Sequence, residues 1–450
     1  MQNLENLFKT IGNQSAGILV FKNGEGLLMP FSRENKAAGA AVYVDDYIEN
    51  KRDCGAVLQN LVDTIYSAGG GVIQFGEGDY YFHNLILKSG ISLRGAGRGH
   101  TTLHRLDKGA KYPATAQYAN KVNKNFMSNA AFIFIPQDVA NVEIEDLSIV
   151  GVFERKIFED SHSMNNSYED SEVVDGIKFE DFFSKEGNVL YTAAAKTEKN
   201  PKGHLDNYEG LTYSKRVLDE SARRCYKNCL IRNVMIRGFS GHGIYVGKEN
   251  YAITFRDFIS VNNLMNGIQN NGSDNFFCGG YIEGNGRYGI YDLGGNCKFS
   301  DLKVIWNGEC FHSGAGIYCQ AARSTYVNVE IQDNYCTGLY LGGRDNIFTN
   351  ITSDCNGYRG GWDINHRWVG GNNNTPQDCY LIYITGKRNQ LIGLCAQYNG
   401  SFGKAVAKNS IKIENAKGCI VQVTDETKAS AQGAAIEKDG KTIFSYVKED

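Results

Sequence analysis

Between Asn263 and Asn356, short apolar stretches alternate with Gly/Asn/Asp turns on a fixed beat. Asn263, Asn285, Asn307, Asn334 and Asn356 recur at separations of 22, 22, 27 and 22 residues. An aromatic stands eight residues before each of them: Phe255, Phe277, Phe299, Tyr326 and Phe348. Gly-Ile or Gly-Leu follows four of them, at Gly267-Ile268, Gly289-Ile290, Gly316-Ile317 and Gly338-Leu339. A repeat in the twenties marks stacked units, each able to bury its apolar face only against its neighbours. The unit has no room for a helix, which excludes leucine-rich-type coils and predicts a parallel β-helix. Identical coil positions then lie about 4.8 Å apart. The aromatics would stack inside as offset rings, and the asparagines would form an amide ladder. Asp257, Asp301, Asn328 and Asn350 share another column, six residues before the Asn. Such a column suits Asx-type turns. Acidic columns can also bind calcium, but neutral Asn fills half of this one, so turns are the expectation.

The same patterning divides the chain. Residues 1–45 show no defined element, 46–151 hold a capping helix and the first coils, and 152–225 form a polar insertion. The main coils run over 226–425, and 426–450 read as an end cap or tail. Over 53–68, Val57, Leu58, Leu61, Val62 and Ile65 fall at three- and four-residue spacing, which predicts an amphipathic helix. Gly69, Gly70 and Gly71 end it. A helix there would plug the open end of the solenoid, where apolar surface and sheet edges are otherwise exposed. So long an insertion as 152–225 reads as a folded loop, a lid over the side groove. A second excursion spans 357–378 and carries Trp362 and Trp368.

Composition narrows the function. The 450 residues include 52 Gly and only 5 Pro, which suits many tight turns. A net charge of −3 implies neither a nucleic-acid nor an anionic-membrane partner. No run approaches the ~18 apolar residues of a membrane span. The 12 cysteines are scattered without zinc spacing, so no metal and no cofactor is expected, and several serve as small interior hydrophobes. The first residues lack a basic stretch before an apolar core, which leads us to expect a cytoplasmic protein, or an extracellular one if a leader has been removed.

Residues 69–103 (GGGVIQFGEGDYYFHNLILKSGISLRGAGRGHTTL) resemble the opening of pectate-lyase-like single-stranded right-handed β-helix proteins. Taken with the coils, the resemblance covers most of residues 50–425. It implies an all-β chain: a right-handed parallel β-helix (solenoid) with an N-terminal capping helix and a long inserted loop region. That superfamily holds polysaccharide lyases, glycoside hydrolases, epimerases, fructotransferases and phage tailspike depolymerases, and the last two groups imply a homotrimer. Residues 42–65 and 72–100, with Asn166-Ser167-Tyr168 and Gly176-Ile177, are also similar to inulin fructotransferases and difructose-anhydride hydrolases. Those enzymes use an Asp and a Glu about eleven residues apart. The first position falls on Glu249; the second falls near Asn262 and Asn263, which are not acids, so the mechanism does not carry over whole.

Candidate chemistry comes from the outward positions of the strands. One outward column reads Tyr245, Gln269, Tyr291, Tyr318 and Tyr340, with Trp362 next. It suits the apolar face of a sugar ring, and equally a subunit contact. A second pair of columns places Glu330 and Asp354 diagonally on adjacent coils, roughly 7 Å apart. Inverting glycosidases separate their carboxylates by ~6.5–9.5 Å. Lys303 stacks beside Glu330, and a Lys–Glu pair on a solvated face is the simpler reading of that acid. The 27-residue coil adds Glu309 and His312 after Trp306. The candidate carboxylates are therefore Glu283, Glu309, Glu330, Asp333 and Asp354, with Glu249 from the resemblance. Gly241-His242-Gly243 is similar to the G-H-G motif of polygalacturonases, but that family's N-T-D, D-D and R-I-K motifs are missing, and a packed turn histidine is expected.

The sequence thus predicts a carbohydrate-active enzyme acting on an oligo- or polysaccharide, a glycoside hydrolase or fructotransferase with a carboxylate pair on the outer groove. Two alternatives stay open. One is a polysaccharide lyase, with Lys303 and Tyr281 or Tyr318, or a tailspike depolymerase, although neither end has room for large particle-binding domains. The other is a non-catalytic sugar-binding or structural β-helix.

Overall fold

The structure is a computed structural model describing residues 17–22, 25–30, 40–106, 130–136, 139–153, 174–180, 226–248, 250–308, 314–357, 360–362, 368–370, 380–397, 409–424, 436–437 and 443–447. Why these strands stack is visible in one of them. In Phe276–Glu283, Phe277, Gly280 and Ile282 are buried, while Phe276, Gly279 and Tyr281 are exposed. Strict alternation fails at Gly279, whose φ of 65° turns the strand through a corner, so both flanks face inward. Asp257, Asp301, Asn328 and Asn350 hold that corner on neighbouring coils with φ of 53–55°. Asn and Asp tolerate this left-handed region best among residues with a side chain. Their amides also link across coils, Asn328 Nδ2 donating to Asp301 Oδ1 at 3.0 Å and Asn350 Nδ2 to Asn328 Oδ1 at 2.9 Å. The expected turn column is therefore observed.

Each coil contributes to two parallel sheets, one of 16 strands bent at that corner and one of 11 strands. Crossovers between parallel neighbours make this a parallel β-helix. The predicted helix forms at Gly55–Ser67 and buries Leu58, Leu61, Val62 and Ile65 against the first coil. Three boundaries differ from the sequence reading. Ala40–Tyr43 already pairs with Gly71–Gln74, so the large sheet starts inside the nominal leader. Val174–Phe179 pairs with Ala130–Ile135 and Ile244–Val246, so one coil strand interrupts the expected 152–225 insertion. Residues 154–173 and 181–225 of that insertion lie outside the described residues. Ile436–Glu437 and Ile443–Val447 extend the two sheets, so the solenoid continues into the expected tail.

Inside, the aromatic column is a stack. Phe255, Phe277, Phe299, Tyr326 and Phe348 have centroids 4.3–4.9 Å apart and planes within 3–4°. That separation exceeds the ~3.5 Å of face contact, so the rings slip past one another. Tyr326 departs from Phe because its hydroxyl donates to the buried Asp292 at 2.6 Å; burial raises the pKa of this carboxyl. The asparagine ladder is continuous, with Nδ2-to-Oδ1 bonds of 2.8–2.9 Å from Asn263 through Asn356. A second inner column, Asn275, Ser324, Asn346 and Asn389, accepts bonds from backbone N–H groups at the opposite corner. Burial pushes the Cys297 thiol up to about 12.

The Gly of each Gly-Ile pair is set by close approach. A Cβ on Gly289 would lie 2.5 Å from Val304 Cγ1, 2.7 Å from Gly316 O and 2.8 Å from Asn307 Nδ2. Gly289→Ala should therefore lower stability by about 1–3 kcal/mol. Gly99→Ala, where a Cβ meets nothing, should leave the urea midpoint unchanged. Equal midpoints for the two variants would contradict this packing.

Candidate active site

A second left-handed corner ends the outer strands just before each ladder asparagine. Asn262 and Gly284 occupy it in two coils, as the conformation favours. The next three are Trp306 (φ 56°), Asp333 (φ 48°) and Cys355 (φ 49°). A bulky indole held in this region costs of order 1–3 kcal/mol, and such strain clusters at functional sites. Here it coincides with carboxylates.

Asp333 and Asp354 meet at this corner. The Asp333 N–H donates to the Asp354 carbonyl at 3.1 Å, and both residues are almost fully buried, at 3% and 4% exposure. Burial pushes the Asp333 carboxyl up to about 6. The negative charge of Asp354 acts in the same direction. Gln332 Nε2, which donates to Asp333 Oδ2 at 2.8 Å, opposes the shift, as do the Lys303 charge and the Trp306 indole. The corner thus holds one acid that keeps its proton into mildly acidic solution beside a second acid.

Glu330 sits differently. The register pairs Glu330 with Thr352 and Gln332 with Asp354, so the expected diagonal relation to Asp354 is present. Its carboxylate, however, is bonded to Lys303 Nζ at 3.0 Å, with side chains 42% and 31% exposed. An exposed pair of this kind contributes under ~1 kcal/mol. Lys303 is thus bonded to Glu330, while its charge also reaches Asp333. Glu283 shares the Asp354 column but is separated from it by Ile305 and Gln332, three strand spacings or about 14 Å, so it does not join them. Glu249, Glu309 and His312 lie outside the described residues. Among the described residues, no group of three or more His, Cys, Asp or Glu could hold a metal ion.

The tyrosine column follows the register, with two corrections. Tyr340 pairs with Tyr383, not with Trp362, whose backbone instead pairs antiparallel with Trp368. Gly360–Trp362 and Trp368–Gly370 form a two-stranded sheet apart from the coil strands, so the column does not continue through them. The side chain of Trp362 is outside the described residues. Tyr245 is also buried, at 1% exposure, with Lys178 Nζ 4.7 Å above its ring. The half-open part is Tyr291, Tyr318, Tyr340 and Tyr383. Tyr291–Tyr318 and Tyr318–Tyr340 stack at 4.8 and 4.6 Å, so ring faces cover one another and ring edges remain for a ligand, while the Tyr318, Tyr340 and Tyr383 hydroxyls meet Gln320, Thr385 and Glu414. The stack ends at Tyr340, where Tyr383 turns edge-on at 82°. His242 is a buried turn residue, its Nδ1 accepting from the Asn266 N–H at 3.3 Å.

No protein-family model matches the chain, and a search of curated proteins found no match. Solved structures do match in fold. Tailspike protein 2 of an Escherichia coli O157:H7 bacteriophage aligns over 94% of this chain and 48% of its own, with TM-score 0.61 and 13% identity. The A-modules of Azotobacter vinelandii mannuronan C-5 epimerases AlgE4 and AlgE6 each align over 91% of this chain. They cover 98% and 99% of their own length, with TM-scores of 0.55 and 0.56 and identities of 15% and 14%. The chain spans about half the length of the tailspike. These likenesses show the fold, a right-handed parallel β-helix, as the sequence predicted.

Proposed function

We propose that this chain is a carbohydrate-active enzyme that cleaves or rearranges glycosidic bonds at the Asp333–Asp354 corner. The carrying observation is the Asp333 carboxyl, pushed up to about 6 next to a second buried carboxyl. In a hydrolytic turn, Asp333 gives its proton to the glycosidic oxygen as the C–O bond breaks. Water bonds to the anomeric carbon, and its proton passes to Asp354. In a transfer reaction a sugar hydroxyl takes the place of water. The fold likeness to a tailspike and to two mannuronan epimerases supports a saccharide substrate. The half-open tyrosines beside the corner would carry it.

The test is incubation of the protein with a panel of neutral and acidic glycans, products being resolved by mass. Shortened or rearranged sugars with no gain in ultraviolet absorbance are expected. Products absorbing through a new double bond would replace this reading with a lyase, and an inert panel would favour a binding protein.

A further inference from the structure

One corner of the solenoid changes character toward its C-terminal coils. Ser273, Gly295, Ala322, Arg344, Lys387 and Lys417 follow one another there, joined coil to coil by single parallel bridges. In the adjoining left-handed position, Asp274 and Asn296 give way to Arg323 (φ 64°), Asp345 (φ 58°) and Arg388 (φ 53°). Five exposed cations, Arg323, Arg344, Lys387, Arg388 and Lys417, thus line one edge around Asp345, with Asp274 further along the same column within reach of the Arg323 charge. Arg388 grips Asp345 with both prongs, at 2.6 and 2.7 Å, and Arg344 Nη1 lies 3.9 Å from it. The Arg388 bonds, then the charges of Arg388, Arg344 and Arg323, hold Asp345 below the usual carboxylate range. Among the described residues, none of the five makes an ion pair with any other acid. Five cations less Asp345 and Asp274 leave three positive charges on a chain whose net charge is −3.

Folding does not call for this arrangement. Like charges on adjacent strands repel, and arginine is a poor choice for a left-handed corner that neighbouring coils fill with Asp and Asn. A fixed row of cations gains only when an anion meets it. We propose that this edge binds a linear polyanion lying along the solenoid axis, an acidic polysaccharide. The inference rests on the carbohydrate-active reading and adds the substrate's charge. Two observations favour a glycan over a nucleic acid. The cations repeat at the strand spacing of about 4.8 Å, near the length of one sugar ring with its linking oxygen, whereas one strand of a DNA duplex presents a phosphate every ~3.4 Å of its axis. The edge also begins four residues after Tyr340 and Tyr383 on their own coils, so it flanks the half-open tyrosines.

Affinity electrophoresis through gels containing polygalacturonate, dextran or poly(dT) tests this. Polygalacturonate should retard the protein, less so as salt rises, and dextran should not. Arg323→Gln/Lys387→Gln/Lys417→Gln, which spares Arg344 and the bonded Arg388–Asp345 pair, should bind polygalacturonate about tenfold more weakly with a flatter salt dependence. Retardation unchanged in that variant, equal retardation by dextran, or tighter binding of poly(dT) would overturn the proposal. Asp333→Asn should be retarded like the unaltered protein. Intact retention with no turnover of any glycan would sink the catalytic reading alone, and turnover of neutral glycans without retention would sink this edge alone.

Discussion

Replacing Asp333 by Asn is expected to lower turnover by 10²–10⁴-fold, the usual worth of a positioned general acid, while making the fold more stable at pH 8. The two effects share one cause. The Asp333 carboxyl is pushed up to about 6 from an ordinary value of 3.8, so the native state holds its proton more tightly than the unfolded chain does. Between about pH 4 and 6 the native state binds more protons, and stability falls as pH rises through that window. Above it the protein carries a buried charge at a cost of order 1–3 kcal/mol. Asn removes that charge and nearly preserves the shape. The variant should therefore melt higher than the parent at pH 8 and match it near pH 3, where both side chains are neutral. In the parent, kcat/KM should decline as pH rises past about 6, because the acid form disappears. Asp354→Asn should lose turnover as well and draw the Asp333 limb downward, since one source of the upward push is gone. Glu330→Gln should remain within a few-fold of the parent, because Lys303 already holds that carboxylate outside the buried pair. Full turnover in Asp333→Asn would remove the corner from the mechanism.

How far the sequence revealed this site follows from which interactions are periodic. The asparagines and interior aromatics were legible because every coil repeats the same residue type at the same place. The opposite inner column was not, since Asn275, Ser324, Asn346 and Asn389 mix residue types and the last two are 43 positions apart. The excursion that lengthens this interval also hid Tyr383 behind Trp362. Asp333 was visible as one of five candidate acids, but strand alternation matched Glu330, diagonally placed on the adjacent coil, with Asp354. The deciding element is the left-handed corner. Asn262 and Gly284 suggest it, whereas nothing in the identity of a tryptophan or a cysteine announces φ near 50°. The cationic edge was hidden in the same way, because its arginines converge on Asp345 from three separate coils. A net charge of −3 masks so local an excess.

The ladder that brings these residues together should also be the most sensitive part of the fold. Asn307 Oδ1 accepts from the Asn285 backbone N–H at 3.0 Å and from its Nδ2 at 2.9 Å. Asn307 Nδ2 donates to the carbonyls of Ile282 and Ile305, each at 3.0 Å, and to Asn334 Oδ1 at 2.9 Å. All of this is inside, where no water replaces a lost partner. Asn307→Ala leaves the Asn285 backbone N–H unmet, at about 1–3 kcal/mol, and removes four further buried amide bonds worth about 0.5–1.5 kcal/mol each, so a loss of at least ~3 kcal/mol is expected in chemical denaturation. The exposed column provides the control. Asn328 also bonds its neighbours above and below, but water can take their place. Asn328→Gly keeps the left-handed corner accessible, so its cost should stay below ~1 kcal/mol. A large difference between two chemically similar ladder asparagines would locate the stability in burial and not in the amide bonds as such. Should Asn307→Ala cost no more than Asn328→Gly, the interior ladder would not be what aligns the coils, and the placing of Asp333 beside Asp354 would need another source.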